Sequence, residues 1–511
     1  MKTKIFISLI CNILISLSPG NLIFTQNITN TLGTSGLFTI KDASNNYLTL
    51  NQSTGNLSLT RSLTIPNTTN STTGIIFKGA DRFIHNYGTA NTFIGINSGN
   101  FTMTGVQNTV LGMSCFRFNT SGYNNIAVGY GSLSGNTTGS NNTALGTFSL
   151  SVNSTGNYNT ALGTNSLRYN STGSQNTAVG WESLVFNNTG DQNTAVGYSS
   201  LNYNTTGFQN TALGMYSLFV NTSGNYNTAL GYGPLFSNTS GERNTSVGYF
   251  SLYSNTIGLQ NTCLGMYSLF SNTSGNENTA VGYNSLYSST GFQNTALGHH
   301  SLYSNTGNYN TAVGYNSGST ITTGNNLTCI GIDAAPSSGS TNDQITLGNI
   351  YVTSLRCNVT TITSLSDARD KKNITDLSLG LDFIVKLKPR QFNWDKREWY
   401  DSNKSDGSKM DTTYTAGFIA QEFDNVQNSE NAEWLKLVLK DNPEKWEATP
   451  GNLLPVMVKA IQELKSENDM LKSEIESMKN LKDKVAQIEQ LLIELKNNNP
   501  ETKEIKSVEN K

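Results

Sequence analysis

Charge is nearly missing from the middle of this chain. Residues 91 to 331 hold seven charged side chains, Arg117, Arg168, Glu182, Asp191, Glu242, Arg243 and Glu277. A stretch this poor in Lys and Arg cannot neutralise phosphates, which excludes nucleic acid as its partner. Its acids stand singly, so it offers no pair of carboxylates for a glycan-cleaving site. The whole chain has a formal net charge of -2, giving no electrostatic pull toward nucleic acid or an anionic surface. Histidine is scarce (His85, His299, His300), and the five cysteines, Cys11, Cys115, Cys263, Cys329 and Cys357, are far apart without CxxC spacing. That excludes a metal centre, and no cofactor is expected. Cys263 and Cys329 fall where sibling repeats carry Ala, which reads as small buried side chains rather than a disulfide. Long apolar runs are also missing. The longest, from Ile5 to Leu17, is short of the ~20 residues a membrane span needs. With Met1-Lys2-Thr3-Lys4 before it and Ser18-Pro19-Gly20 after it, residues 1–24 have the layout of a secretory signal peptide. A retained N-terminal anchor and an apolar segment buried in a particle base are the alternatives, and the only route to a membrane.

At 511 residues the chain exceeds one usual core, so several domains are expected. Residues 25–88 alternate apolar and polar positions, as in Asn46-Tyr47-Leu48-Thr49-Leu50-Asn51, and read as short antiparallel or trimer-wrapped strands. Over 89–332 an Asn-Thr-Ala-(Val/Leu)-Gly pentad repeats. Its Gly returns every 17 residues from Gly95 to Gly282 and then at Gly298, Gly314 and Gly331. Fifteen such units predict a β-solenoid. Each unit offers one strand at Thr-Ala-Val-Gly and another at Ser-Leu-Tyr, joined by turns such as Asn204-Thr205-Thr206-Gly207. At about 4.8 Å per rung the shaft would be roughly 70 Å long. Stacked amides are expected to form Asn ladders, and the 16-residue units should lose their residue in a turn. Adjacent apolar residues such as Ala195-Val196 face opposite ways, so one fills the coil and the other calls for a second surface, most simply identical chains. Asn119, Asn136 and their counterparts through Asn272 also spell Asn-x-Ser/Thr, open to reading as glycan acceptors or as turn chemistry. Tyr198, Tyr203, Tyr216 and Tyr253 could stack on sugars, but their period-locked spacing favours packing. After Gly331 the beat fails, and residues 333–365 read as a β neck.

Charge returns after Leu365. Residues 366–452 read as a small α+β domain, with a helix near Leu379–Ile384 and strands near Arg390–Trp394 and Thr415–Ala420. Pro455 suits a first helical turn, and apolar residues then recur in steps of 3 and 4 over 453–497, a coiled-coil seam. Asn468 falls on that seam and would fix its register, while a repeated step of 3 near Met478, Leu481 and Val485 would overwind it. Residues 498–511 are polar and read as disordered.

Ser366-Asp367-x-Arg369-x-Lys371, followed by Leu387-Lys388-Pro389, Phe392, Trp394, then Gly417-Phe418-Ile419-Ala420-Gln421-Glu422 and a terminal coiled coil, resembles the intramolecular chaperone domain of phage endosialidases and tail fibres. This is peptidase family S74, also seen in some giant-virus proteins and in membrane-bound myelin regulatory factor. The repeats look like the heads of trimeric bacterial adhesins and the collars of phage fibres. The resemblance implies a self-inflicted cut between Leu365 and Ser366, with Asp367, Arg369 and Asn373 supporting the motif. Lys371 is the expected base and Lys372 the rival. A serine hydroxyl is a weak nucleophile until a base takes its proton. An ordinary lysine is neutral in only about 0.04 per cent of molecules at pH 7, and burial that lowers its pKa by about 3 units raises this to roughly a third. The expected activity is therefore a single-turnover serine autoproteolysis that waits for folding. The expected protein is a homotrimeric fibre or spike on a virion surface or secreted, with itself as partner and a host-surface glycan or receptor as a further one. A secreted or cell-surface trimeric adhesin with the same chaperone is the alternative.

Overall fold

Alternation in the N-terminal region does give short antiparallel strands. β1 (Leu37–Lys41), β2 (Asn46–Asn51) and β3 (Leu57–Leu59) form a meander. β4 (Ile76–Lys78) and β5 (Asp81–His85) form a hairpin, and β5 pairs antiparallel with β6 (Thr92–Ile94), the first rung of the shaft. The buried His85 ring lies 4.6 Å from Phe93, stacked, and so closes that end of the core. A solenoid needs such a cap because its terminal coil lacks a neighbour. These coordinates come from a computed structural model, which describes residues 37–41, 46–51, 53–60, 62–356 and 366–498. Leu365, Cys11, Cys357, the segment 1–24 and the tail from 499 lie outside the described residues.

From β6 to β21 (Ile345–Leu347) each coil contributes one three-residue strand to a single parallel ladder. The pairing is in register, Thr160↔Thr177, Ala161↔Ala178 and Leu162↔Val179. Alternation sends Ala161, Ala178 and Ala195 inward with no exposure and leaves the flanking Thr and Val or Leu outside. Cys263 and Cys329 occupy that inward slot; burial pushes the Cys263 thiol far up and the Cys329 thiol up to about 11. The two 16-residue coils keep the strand register, Thr279↔Thr295 and Thr295↔Thr311; the second loses its residue in the turn Ser304–Gly307 and the first in the turn Ser288–Gly291. That turn replaces a ladder Asn with Ser289, whose buried hydroxyl has no protein partner.

Two expectations need correction. The Ser-Leu-Tyr segment is not a second strand, because its leucines sit in the left-handed region, Leu201 at φ 50° and Leu218 at φ 52°. Alternating left-handed residues curl the backbone into a corner while alternate amides still bond along the stack. Ser199 N donates back to Trp181 O and Leu201 N forward to Ser217 O. A left-handed non-glycine residue costs about 1–2 kcal/mol, and full burial of a Leu side chain offsets about 1.5–3 kcal/mol. Every such leucine from Leu133 to Leu302 is fully buried. The second correction is that the ladder runs one rung past Gly331, since β21 pairs with Thr328–Ile330, whereas Tyr351–Arg356 is not a strand.

Polar groups fill what the single Ala and Leu of each coil cannot. Asn193 Nδ2 donates to Asn176 Oδ1 (3.1 Å) and Gly207 O (2.8 Å). In a second column, Asn204 Nδ2 donates to Asn187 Oδ1 (2.6 Å) and to the same Gly207 O (2.8 Å). The second column is the one carrying the Asn-x-Ser/Thr spelling. Its amides, from Asn119 to Asn272, are fully buried, so the nitrogen to which a glycan would attach is already spent inside the fold. Glycine is required where coils touch: a Cβ on Gly214 (φ 121°) would lie 2.1 Å from Gly231 O. Leu201→Ala should lower shaft stability by about 2–5 kcal/mol, read as an earlier urea midpoint, because a rigid stack cannot close the cavity.

After Ser366 the chain forms α1 (Leu381–Ile384), β22 (Arg390–Asn393), β23 (Tyr414–Gly417), α2 (Ala420–Ser429), β24 (Val438–Leu439), β25 (Glu447–Ala448) and α3 (Leu454–Asn498). β22 pairs antiparallel with β23, and β24 with β25. Phe383, Leu387, Phe423, Leu437, Leu453 and Val456 form its core. The strand expected over Thr415–Ala420 ends at Gly417, and Ala420 opens α2 instead. The first turns of α3 pack on α1, and Glu463 Oε2 accepts from Leu381 N (2.6 Å). Gly380 leaves room for that carboxylate, since a Cβ there would come within 2.1 Å of it. Gly380→Ala should therefore displace Glu463 and lower the domain's melting temperature, whereas an alanine at Gly451, where a Cβ meets nothing, should not. Beyond Ala460 every residue of α3 is exposed or half-exposed, its seam included.

Candidate functional site

Asp367 folds the motif on itself. Its carboxylate accepts from Arg369 N (2.8 Å) and caps a short 3-10 turn, Ala368–Asp370. The Arg369 side chain returns to the same carboxylate, Nε at 3.0 Å to Oδ1 and a terminal nitrogen at 2.5 Å to Oδ2. Lys371 N closes the turn on Ala368 O (3.2 Å). This reversal carries the Lys371 ammonium back across five residues onto Ser366, where Nζ bonds Oγ and lies 3.5 Å from the Ser366 carbonyl oxygen. Asp367 and Arg369 thus shape the loop, and neither touches the Ser366 hydroxyl.

The hydrogen bonds from Arg369 hold the Asp367 carboxyl below the ordinary carboxylate range. A depressed folded-state pKa means the turn is favoured at neutral pH and loses that support only as pH falls through the lowered value. Residues 366 to 373 are all exposed in the single chain. The Lys371 side chain is not buried in the single chain. Lys372 forms no hydrogen bond with Ser366 and lines, with Lys371, Asp376 and Trp434, a neighbouring groove of about 480 Å³. Asn373 takes the left-handed conformation (φ 53°) that redirects the chain into this groove. Leu365 is outside the described residues, so Ser366 and Lys371 are placed and the Leu365 carbonyl is not. Asn468 lies exposed on α3, far along the chain from Ser366.

Three supporting residues were missed in the sequence. Arg390 on β22 holds Glu422 on α2 through paired hydrogen bonds, tying the strand to the helix. Asp441, in the β24–β25 turn, accepts from Ser337 (3.1 Å), Thr341 (3.3 Å) and Gln344 (3.2 Å) of the last coil. Glu463, on α3, accepts from Leu381 N at the start of α1. Arg390 could have been suspected from its place beside Phe392, since its partner Glu422 closes the Gly417–Glu422 motif. The other two partners are about 80 to 100 residues away in sequence, and nothing local announces them. Among the described residues no group of His, Cys, Asp or Glu could hold a metal, and no helix is long and apolar enough to cross a membrane.

No curated protein and no solved structure matches the chain. Residues 366–431 match the Peptidase_S74 family, the chaperone of endosialidase, and the match opens on Ser366 itself.

Proposed function

We propose that this chain is a homotrimeric fibre or spike protein whose C-terminal chaperone gathers three copies, sets their register and then severs itself between Leu365 and Ser366. The observation that carries the reading is the contact of Lys371 Nζ with Ser366 Oγ at the first residue of the matched domain. In the proposed step neutral Lys371 takes the Ser366 hydroxyl proton and Oγ attacks the Leu365 carbonyl carbon. The C–N bond breaks as a C–O ester forms, and the proton passes to the Ser366 nitrogen. Water then hydrolyses the ester, leaving a carboxylate on Leu365, the hydroxyl restored on Ser366 and a free amino group on Ser366. Each chain turns over once.

The exposure of the site supports an assembly trigger. Desolvation favours the neutral amine of a lysine. Three chains closing around the exposed turn supply that desolvation, so the cut follows trimer formation. The assembly itself is driven by α3, whose Ile461, Leu464, Leu471 and Ile475 are 64, 52, 57 and 49 % exposed in one chain. An apolar seam at this spacing is stable only against partner helices. Register matters because a slip of one residue turns every shaft side chain to the other face. Removal of the template then leaves a shaft that unfolds slowly, as its nucleus is gone.

The product is placed on a virion surface or outside the cell, with the shaft attaching to a host glycan or receptor. The signal-peptide layout of residues 1–24 favours a second reading, a cell-surface adhesin built the same way. N-terminal sequencing of the smaller product tests the proposal: it should begin Ser366-Asp367-Ala368, and any other start overturns the assignment. Finding the larger product in virions or on cells separates the two readings.

A further inference from the structure

Two side-chain columns follow each core leucine of the shaft, and the aromatic rings change column part-way along. After Leu167, Leu184 and Leu201 the ring is the second residue, Tyr169, Phe186 and Tyr203. From Leu218 onward it is the first, beginning with Phe219, Phe236 and Tyr253. Within each run the rings are nearly parallel, 10° and 12° in the first and 19° down to 3° in the second. Parallel rings hide their faces behind one another and offer solvent mainly their edges. At the crossing the stack breaks. Tyr203 and Phe219 meet at 82°; Tyr216 stands at 88° to Tyr198 and 89° to Phe219, a stance that Tyr267 repeats against Tyr249 (89°) and Phe270 (82°) away from the crossing.

In these same coils the first column holds Arg168, Val185 and Asn202 in place of rings, and the lost bulk leaves a cleft of about 370 Å³. Two of the shaft's seven charged residues line it, Arg168 and Glu182. The Arg168 guanidinium is held over Phe148 (4.8 Å) and Tyr169 (5.0 Å), and its Nε is buried without a partner. The Glu182 side chain forms no ion pair or hydrogen bond among the described residues. Asn165 and Asn202 add amides, and Tyr198 and Tyr216 add hydroxyls.

We propose that this cleft binds a short neutral oligosaccharide. A sugar ring presents an apolar C–H face to an uncovered aromatic ring, while its hydroxyls accept from a guanidinium and donate to a carboxylate. The Arg168 guanidinium already donates from one terminal nitrogen to Asn165 Oδ1 (3.3 Å), so a purely apolar ligand would leave its Nε and the Glu182 carboxylate without a partner. A simple anion would meet Glu182 as well as Arg168. The volume is in the range of small-molecule sites. The inference deepens the attachment part of the proposed function and is independent of the cut.

The test uses the full chain with cellohexaose, maltohexaose, triacetylchitotriose and, as an acidic comparison, 3′-sialyllactose, followed by saturation-transfer NMR and calorimetry. Tyr216→Asn and Glu182→Asn keep the fold, because Asn165, Asn284 and Asn316 hold the equivalent coil position at φ 58°, 53° and 56°. At least one neutral probe should bind saturably, each of these two substitutions should weaken it at least tenfold, and Tyr287→Ala in the closed stack should leave it unchanged. The inference is overturned if no neutral probe binds, if binding ignores both cleft substitutions, or if only 3′-sialyllactose binds. A chain that is cut but binds nothing refutes this site alone; a chain that binds but stays whole refutes the cleavage reading alone.

Discussion

Ser366→Ala should leave every chain whole, giving one band on a denaturing gel where the parent gives two. Among the described residues Lys371 Nζ bonds no side-chain hydroxyl other than the Ser366 Oγ. Lys371→Ala should slow the cut by about 10²–10⁴-fold, the usual contribution of a positioned base. Lys372→Ala should leave the rate within a few-fold of the parent, because that side chain faces the groove beside Trp434. Both lysine positions are exposed, so neither substitution disturbs packing and circular dichroism should be unchanged. Loss of cutting in the Lys372 variant with retention in the Lys371 variant would reverse the assignment.

Ile461→Asp combined with Leu464→Asp should abolish both assembly and cutting. Neither side chain is buried in the single chain, whereas Val456 and Ala460, on the face that packs within the domain, are left in place. The chaperone fold therefore survives and only the seam is lost. Removing two apolar side chains from each of three helices forfeits on the order of 10 kcal/mol of association, before the cost of burying the new carboxylates. Light scattering after gel filtration should report a monomer, and the gel should show one uncut band. An uncut trimer would mean that the seam is not the assembly surface, and a cut monomer would mean that assembly does not license the chemistry.

Repetition made the shaft legible. The Asn-Thr-Ala-Val-Gly beat announced the ladder, its register and the stacked amides, because each interaction recurs one coil away and so leaves a period in the sequence. The leucine corners were hidden for the opposite reason. A Ser-Leu-Tyr segment looks like a strand by composition, and only the closed geometry of a 17-residue coil puts Leu201 at φ 50°. The last rung escaped because Gln344-Ile345-Thr346-Leu347-Gly348 keeps the spacing while losing the Asn-Thr-Ala spelling. At the junction the motif pointed to Ser366 and Lys371, and the tight turn from Asp367 to Lys371 brings these two side chains into contact. What the motif could not convey was exposure: Lys371 lies in solvent in the single chain. Glu463 and Asp441 were silent because their partners lie in distant segments.

Native mass spectrometry during refolding of the parent chain tests the central claim most directly, because it reads subunit number and cleavage in the same ion. The account predicts intact monomers first, then intact trimers, then trimers carrying cut chains, with no cut monomer at any time. Cut monomers appearing before trimers, or trimers that remain intact indefinitely, would contradict it.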